Sequence, residues 1–180
     1  MTLVVGVIGS PQAGGRTRVA VDAVLHGAAK NADTQVLELA DTDTADVVGA
    51  MGEADAVVFG SPTYRADIAA GLKGLLDATP RGAAYESGDP LRGTVCATVL
   101  TGASDHHFLA VEKVRGILGG FFGVQLLSPG LYLPSAAFVD EGRALTDDAQ
   151  QLAELHGRAL VELTSAVRSS TWLRELRPLI

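Results

Sequence analysis

Apolar residues along this chain fall into short continuous runs that alternate with longer stretches of helical spacing. Thr2 to Gly9 is such a run, closed by Ser10-Pro11, the pattern of a strand buried on both faces as in parallel sheets. Thr17 to Ala29 places Val21, Val24, Leu25 and Ala28 at helical spacings and stops at Lys30-Asn31. Val36 to Leu39 reads as a second strand and Thr42 to Ala54 as a second helix, with Val47, Val48 and Met51 on one side. Asp55 to Gly60 is a third strand, which Ser61-Pro62 is expected to end because proline cannot continue a ladder. Ile68, Leu72, Leu75 and Leu76 form the apolar stripe of a helix over Ile68 to Thr79. A glycine-rich connection, Pro80 to Gly93, leads to a strand over Thr94 to Thr101. A helix over Phe108 to Phe122, a strand over Val124 to Leu133, a loop from Pro134 to Gly142 and a long helix over Thr146 to Arg168 complete the pattern.

Five strands alternating with five helices predict an α/β fold: a three-layer sandwich around a five-stranded parallel sheet, most simply in the order 2-1-3-4-5. Residues 1–168 form one domain in this reading. Residues 169–180 form a tail whose Trp172, Leu173, Leu176 and Leu179 have no clear period and are expected to cover either a partner subunit or the chain's own sheet. At 180 residues, one domain is the natural count.

Composition narrows the function. Fourteen Lys and Arg against 21 Asp and Glu leave a net charge of −7, a sign that repels nucleic acid. With 47% hydrophobic and 19% charged residues the chain can build a core. No apolar stretch reaches the roughly 18 residues needed to span a bilayer, and the first run lacks the basic flank of a signal peptide, so the expected location is the cytoplasm. Cys96 is the single cysteine and sits in an apolar run, which excludes a disulfide framework. His106 and His107 are adjacent and diverge on a helix, so no metal site is expected.

In doubly wound sheets ligands bind beyond the carboxyl ends of the strands. After the first strand, Gly9-Ser10-Pro11-Gln12-Ala13-Gly14-Gly15-Arg16-Thr17 offers small residues, a helix N-terminus and the donors Ser10, Arg16 and Thr17, which suit a phosphate. It matches neither a dinucleotide fingerprint nor a Walker loop, because Ser10-Pro11 interrupts the first and no Lys precedes Thr17 for the second. The plainer alternative is a helix start capped by Thr17. After the third strand, Ser61-Pro62-Thr63-Tyr64-Arg65-Ala66-Asp67 combines a stiff turn with an amphipathic ring and could cradle a flat heteroaromatic ligand, or be a polar turn. After the fourth, Thr101-Gly102-Ala103-Ser104-Asp105-His106-His107 permits close backbone approach at Gly102, with Ser104 or Asp105 available as a helix cap.

Taken together these blocks resemble the NAD(P)H-dependent FMN reductases of flavodoxin-like fold. Gly9-Ser10-Pro11 with Arg16-Thr17 looks like that family's phosphate loop. Ser61-Pro62-Thr63-Tyr64-Arg65 through Gly71-Leu72-Lys73-Gly74-Leu75-Leu76-Asp77 matches its Pro-x-Tyr and Leu-Lys-x-x-Leu-Asp signature. Thr101-Gly102-Ala103-Ser104 leading to His107-Phe108-Leu109-Ala110-Val111-Glu112 is similar to the reductase component of two-component alkanesulfonate monooxygenases.

The resemblance implies that Ser10, Gln12, Arg16 and Thr17 hold the FMN phosphate. It places Pro62, Thr63, Tyr64 and Arg65 along the ring and ribityl chain, and Thr101, Gly102, Ala103, Ser104 and His107 on the other side. Gln12 stands where the family usually has Arg, and Ala103 where a glycine is common. The resemblance further implies FMN and NAD(P)H as cofactors, hydride transfer to flavin N5 without a protein acid or base, and a flavin-dependent monooxygenase as recipient of reduced FMN. It also implies a homodimer or homotetramer. Other readings are an FMN-bound reductase of quinones, azo dyes or metal oxyanions such as chromate, and a flavodoxin-like electron carrier.

Overall fold

The computed structural model describes the whole chain except residues 84, 85, 87, 179 and 180, so the expectations for Leu179 and for part of the Pro80 to Gly93 connection lie outside the described residues. Its sheet is parallel at the centre. Strands β1 (Leu3–Ile8), β2 (Asp33–Glu38), β3 (Ala56–Tyr64), β4 (Asp67–Ile68), β5 (Val95–Gly102), β6 (Gln125–Leu126) and β7 (Leu131–Pro134) are arranged β2-β1-β3-β5, with β6 and β7 both pairing with the far side of β5. This is the expected 2-1-3-4-5 order, with its fifth strand in two pieces. Ser128-Pro129-Gly130 makes the break, since proline and glycine there interrupt the run between Leu126 and Leu131.

Alternation of side chains along each strand feeds two cores. Val4, Ile8, Val58, Ala97 and Val99 pack against helices α1 (Arg16–Ala28) and α5 (Asp147–Ser169). Val5, Val7, Phe59, Cys96 and Leu100 pack on the opposite face under α2 (Thr44–Glu53), α3 (Ala70–Ala78) and α4 (Ala110–Arg115), where Met51 is also fully buried. Burial pushes the Cys96 thiol far above its ordinary pKa. Helices α1 and α5 touch backbone to backbone: a Cβ added to Gly157 would lie 1.9 Å from the Val24 carbonyl oxygen, and one on Gly27 would lie 2.1 Å from that of Glu154.

Several boundaries differ from the pattern reading. Strand β2 begins at Asp33 rather than Val36 because its outer half is exposed and polar yet follows the register of β1. Strand β3 does not stop at Gly60 but continues through Ser61-Pro62 to Tyr64. Gly60 faces β1, its carbonyl accepting from Gly9 N–H, and Pro62, two residues on, faces the same side beyond the end of β1. No ladder partner is missed there. The helix expected over Phe108 to Phe122 is broken into a 3-10 turn (Asp105–His107), α4, and a π-helical turn (Gly116–Phe122), as three glycines near its end weaken regular winding. The loop from Pro134 to Gly142 contains 3-10 turns and half of a small hairpin, β8 (Phe138–Val139) with β9 (Ala144–Leu145).

The tail forms the short helix α6 (Thr171–Glu175) and lies on its own chain. Glu175 pairs with Arg92 at 3.2 Å and Arg177 with Asp89 at 2.9 Å. Trp172 nevertheless stays 83% exposed. No helix among the described residues is long and apolar enough to cross a membrane.

Candidate functional site

Three chain segments meet at the carboxyl ends of β1, β3 and β5, and the contacts between them are direct. Gly9 N–H donates to Gly60 O at 2.8 Å, joining the first loop to β3. Thr17 Oγ1 lies 2.9 Å from Thr101 Oγ1 in a buried contact that ties the first turn of α1 to the end of β5. Thr17 therefore does not cap α1. A buried hydroxyl pair of this kind contributes about 1 kcal/mol, and either member alone would be left costly and unpaired.

The first loop is exposed from Pro11 through Arg16. Gly14 turns it with φ of 70°, and its N–H donates to Glu38 Oε2 at 2.9 Å. Glu38, at the end of β2, is buried and also accepts from Arg18 Nη1 at 2.7 Å, while Arg18 Nε donates to Asp22 at 2.7 Å. The bonds to Glu38 and Asp22 raise the Arg18 pKa, so the charge there is permanent. Pattern reading missed Glu38; its signal was a carboxylate closing an otherwise buried strand end. The N-cap of α1 is Gly15, which offers no side-chain acceptor, and the first turn carries no acid. By contrast α5 is capped by Thr146 and carries Asp147 and Asp148 in its first turn. The first N–H groups of α1 thus keep their donors for an outside anion.

Of the side chains expected on the phosphate, Ser10 Oγ accepts from Gln12 N–H at 3.3 Å, and Gln12 itself is exposed. Arg16 extends toward the other rim: its Nη1 donates to Ser135 Oγ at 2.5 Å, and its guanidinium lies 5.6 Å from the centre of the Phe138 ring.

The second segment is a hairpin rather than a loop. Thr63 pairs with Ile68 and Tyr64 with Asp67 across a two-residue turn, Arg65-Ala66, whose residues have φ of 52° and 62°. Ser61 is buried, with Oγ accepting from Ala69 N–H at 2.9 Å and so fixing the start of α3. Asp67 accepts from Lys113 Nζ at 2.8 Å and from Ile68 N–H, and these hold its carboxyl below the ordinary value. Tyr64 is 54% exposed at the rim, beside exposed Arg65. Thr63 Oγ1 is buried without a hydrogen bond of good geometry, although it is near enough to the Tyr132 phenol to offset slightly the effects that raise the latter's pKa.

In the third segment Gly102 is buried and Ala103 exposed. Ser104 is the N-cap of the 3-10 turn but makes no side-chain cap; its Oγ approaches His106 Nδ1 at 3.4 Å. His107 is exposed. Two residues of the fifth strand and its exit, absent from the pattern reading, brace this segment. Tyr132 Oη donates to Ser104 O at 2.8 Å, and Ser135 Oγ donates to Gly102 O at 3.3 Å. The structure therefore brings all three predicted blocks to one rim and leaves Leu72, Leu75 and Leu76 in the core, with Lys73 and Asp77 paired on the surface of α3. Among the described residues no cluster of three metal-ligating side chains occurs.

The residues present fit FMN. An uncapped helix start and a left-handed glycine would suit its phosphate, and a buried unpaired hydroxyl and an exposed aromatic ring would suit its ring end.

Comparisons with known proteins agree. A curated relative, the NADH-dependent FMN reductase SfnF of Pseudomonas putida, is 33% identical over 101 residues, 54% of this chain and 50% of that protein. The chain spans about half the length of that relative. The apo crystal structure of NADH:FMN oxidoreductase (EMOB) superposes with a TM-score of 0.76 at 21% identity, covering 98% of this chain and 95% of the other. A flavodoxin from the domain Archaea superposes with a TM-score of 0.66 at 20% identity over 92% of this chain and 99% of its own. Both identify the fold as flavodoxin-like. The sequence profile described as NADPH-dependent FMN reductase matches residues 2–138. With that profile spanning most of the chain and its three motif blocks gathered at one rim, the protein belongs to the NADPH-dependent FMN reductase family of oxidoreductases.

Proposed function

We propose that this protein oxidises NAD(P)H and reduces FMN, releasing reduced flavin to a flavin-dependent monooxygenase. The observation that carries the reading is the meeting of an uncapped, acid-free α1 N-terminus with the hairpin at the end of β3 and the exposed loop after β5. Hydride acceptance at N5 is the chemistry that FMN supplies when bound.

The chain's own contribution is to bind and orient. The phosphate end is received by the Gly9 to Thr17 loop, with Ser10, Gln12, Arg16 and Thr17 around it and Glu38 holding Gly14 in its left-handed turn. Pro62, Thr63, Tyr64 and Arg65 line one side of the ring, and Thr101, Gly102, Ala103, Ser104 and His107 the other. No side chain of this set is assigned a proton transfer, and none is needed when two rings stack and hydride passes between them. An exposed apolar strip on α5, Leu152 and Leu155 beside Leu127 and Pro129, supports a homo-oligomer. A cytoplasmic setting is the companion proposal.

The reading is tested by NAD(P)H oxidation with ligand-stripped protein and added FMN. Saturable, FMN-dependent turnover from colourless protein is expected. A yellow protein that needs an added quinone or azo dye would instead make FMN a resident group and favour the quinone, azo or chromate reductase reading.

Arg16→Ala separates two roles. If Arg16 serves the phosphate, FMN affinity falls about tenfold, roughly 1.4 kcal/mol, while riboflavin affinity changes little. Equal losses for both flavins would make Arg16 a strut of the Ser135 rim instead. Titration of flavin fluorescence reads the difference.

A further inference from the structure

We propose that Arg18 is a positioning residue for the flavin phosphate: it cancels the charge of the buried Glu38 carboxylate that pins the Gly9 to Thr17 loop, and thereby lets that loop accept an anion. The inference rests on the flavin reading above, and within it on the phosphate end. Its starting point is a conflict of charge. A loop of small residues samples many conformations, so an acceptor that fixes it lowers the entropy lost when a ligand is held. Glu38 Oε2 is that acceptor, taking the N–H of Gly14 at 2.9 Å with Gly14 at φ of 70°. A carboxylate makes the stronger bond, but it also sets a negative charge behind a loop meant for a phosphate. Only 10% of the Glu38 side chain is exposed, so water screens that charge poorly.

Arg18 removes the conflict. Its Nη1 donates to the other carboxylate oxygen, Glu38 Oε1, at 2.7 Å, and its Nε donates to Asp22 Oδ2 at 2.7 Å. The guanidinium is thus fixed along two edges, an arrangement that the fork of arginine permits and the single ammonium of lysine does not. Asp22 lies one turn further along α1 with 45% of its side chain exposed, where solvent screens it, and the first turn of α1 carries no acid. Arg16, the other cation of this stretch, is engaged with Ser135 and cannot stand in. Gly14 therefore gains a fixed acceptor whose charge is already matched. The loop is ordered and still open to an anion.

The test compares FMN with riboflavin, which lacks the phosphate, by fluorescence titration of the full chain. Arg18→Met keeps the bulk and removes the charge; FMN affinity is expected to fall about tenfold while riboflavin stays within about twofold. Arg18→Lys keeps the charge and is expected to stay within about threefold of wild type for both flavins. Adding Glu38→Gln to Arg18→Met removes the carboxylate and keeps an acceptor for Gly14, and is expected to bring FMN back to within about threefold of wild type. Adding Glu38→Ala removes the acceptor as well and is expected to leave FMN weak. Unchanged FMN affinity in Arg18→Met, equal losses for both flavins, or no recovery with Glu38→Gln would overturn the proposal and leave the pair a merely structural brace. If Arg18→Met does not fold, the two double variants, neither of which buries an unpaired charge, decide: FMN held by the Gln variant and lost by the Ala variant supports the proposal, and equal affinities overturn it. Wild type that binds FMN no more tightly than riboflavin takes the phosphate out of this loop and the inference with it. Wild type that binds neither flavin overturns the flavin reading itself.

Discussion

Gly157→Ala is expected to destabilise the fold by about 3 kcal/mol and to lower its melting temperature by roughly 6–12 °C. The added methyl would sit 1.9 Å from the Val24 carbonyl oxygen and 2.7 Å from the Ala28 nitrogen, both of them main-chain atoms of α1. No side chain can swing aside to admit it, so the helices must part. Parting them opens a core that includes Ala20, Val24, Ala153 and Leu160, all essentially fully buried. Because α1 begins at the proposed phosphate loop, the same displacement should weaken FMN. Gly49→Ala is the natural control: its position on α2 is exposed, with open space around the added methyl, and it should gain about 0.5–1 kcal/mol. Thermal melts followed by circular dichroism check both. A Gly157→Ala protein that melts within about 2 °C of wild type would mean that α1 and α5 can separate at no cost.

Gly102→Ala is expected to have the largest effect on ligand binding. Its methyl collides with the Tyr132 phenol, 1.8 Å from Oη and 2.8 Å from Cζ. Either the phenol leaves, losing its bond to Ser104, or the loop moves outward. Both outcomes disturb the proposed ring-binding rim, and FMN affinity should fall about 100-fold, roughly 2.8 kcal/mol. Riboflavin should suffer as much, since the proposed phosphate loop is untouched. In a Tyr132→Leu background the same glycine change should cost little further stability, because the clash has been removed in advance. An unchanged FMN affinity for Gly102→Ala alone would take this loop out of the binding site.

Much of the architecture was legible because buried parallel strands and amphipathic helices leave different spacings in a sequence. The strands at Leu3, Ala56 and Val95 and the stripe of Leu72, Leu75 and Leu76 were readable in this way. Proline has opposite effects at two places in the sheet. Pro62 does not end β3, because its neighbour on that side has already stopped, while Ser128-Pro129-Gly130 does split the last strand. Local composition cannot say which side of a strand is vacant. The site shows the same limit. Ser10, Arg16, Tyr64 and Gly102 stood out by residue type, in the loops where a doubly wound sheet places ligands. Glu38, Tyr132 and Ser135 act through partners 24, 28 and 33 residues away, at Gly14, Ser104 and Gly102 respectively, and only the fold reveals those pairings.

The single tryptophan of the chain stands on the tail with 83% of its surface open. Its indole already meets water in the native protein, so its emission should be red-shifted before any denaturant is added and should change little on unfolding. The same exposure makes it a sensitive reporter of association. Contact with another molecule that covers the tail would shift its emission to the blue, and the concentration at which this happens would give the strength of that assembly without any label.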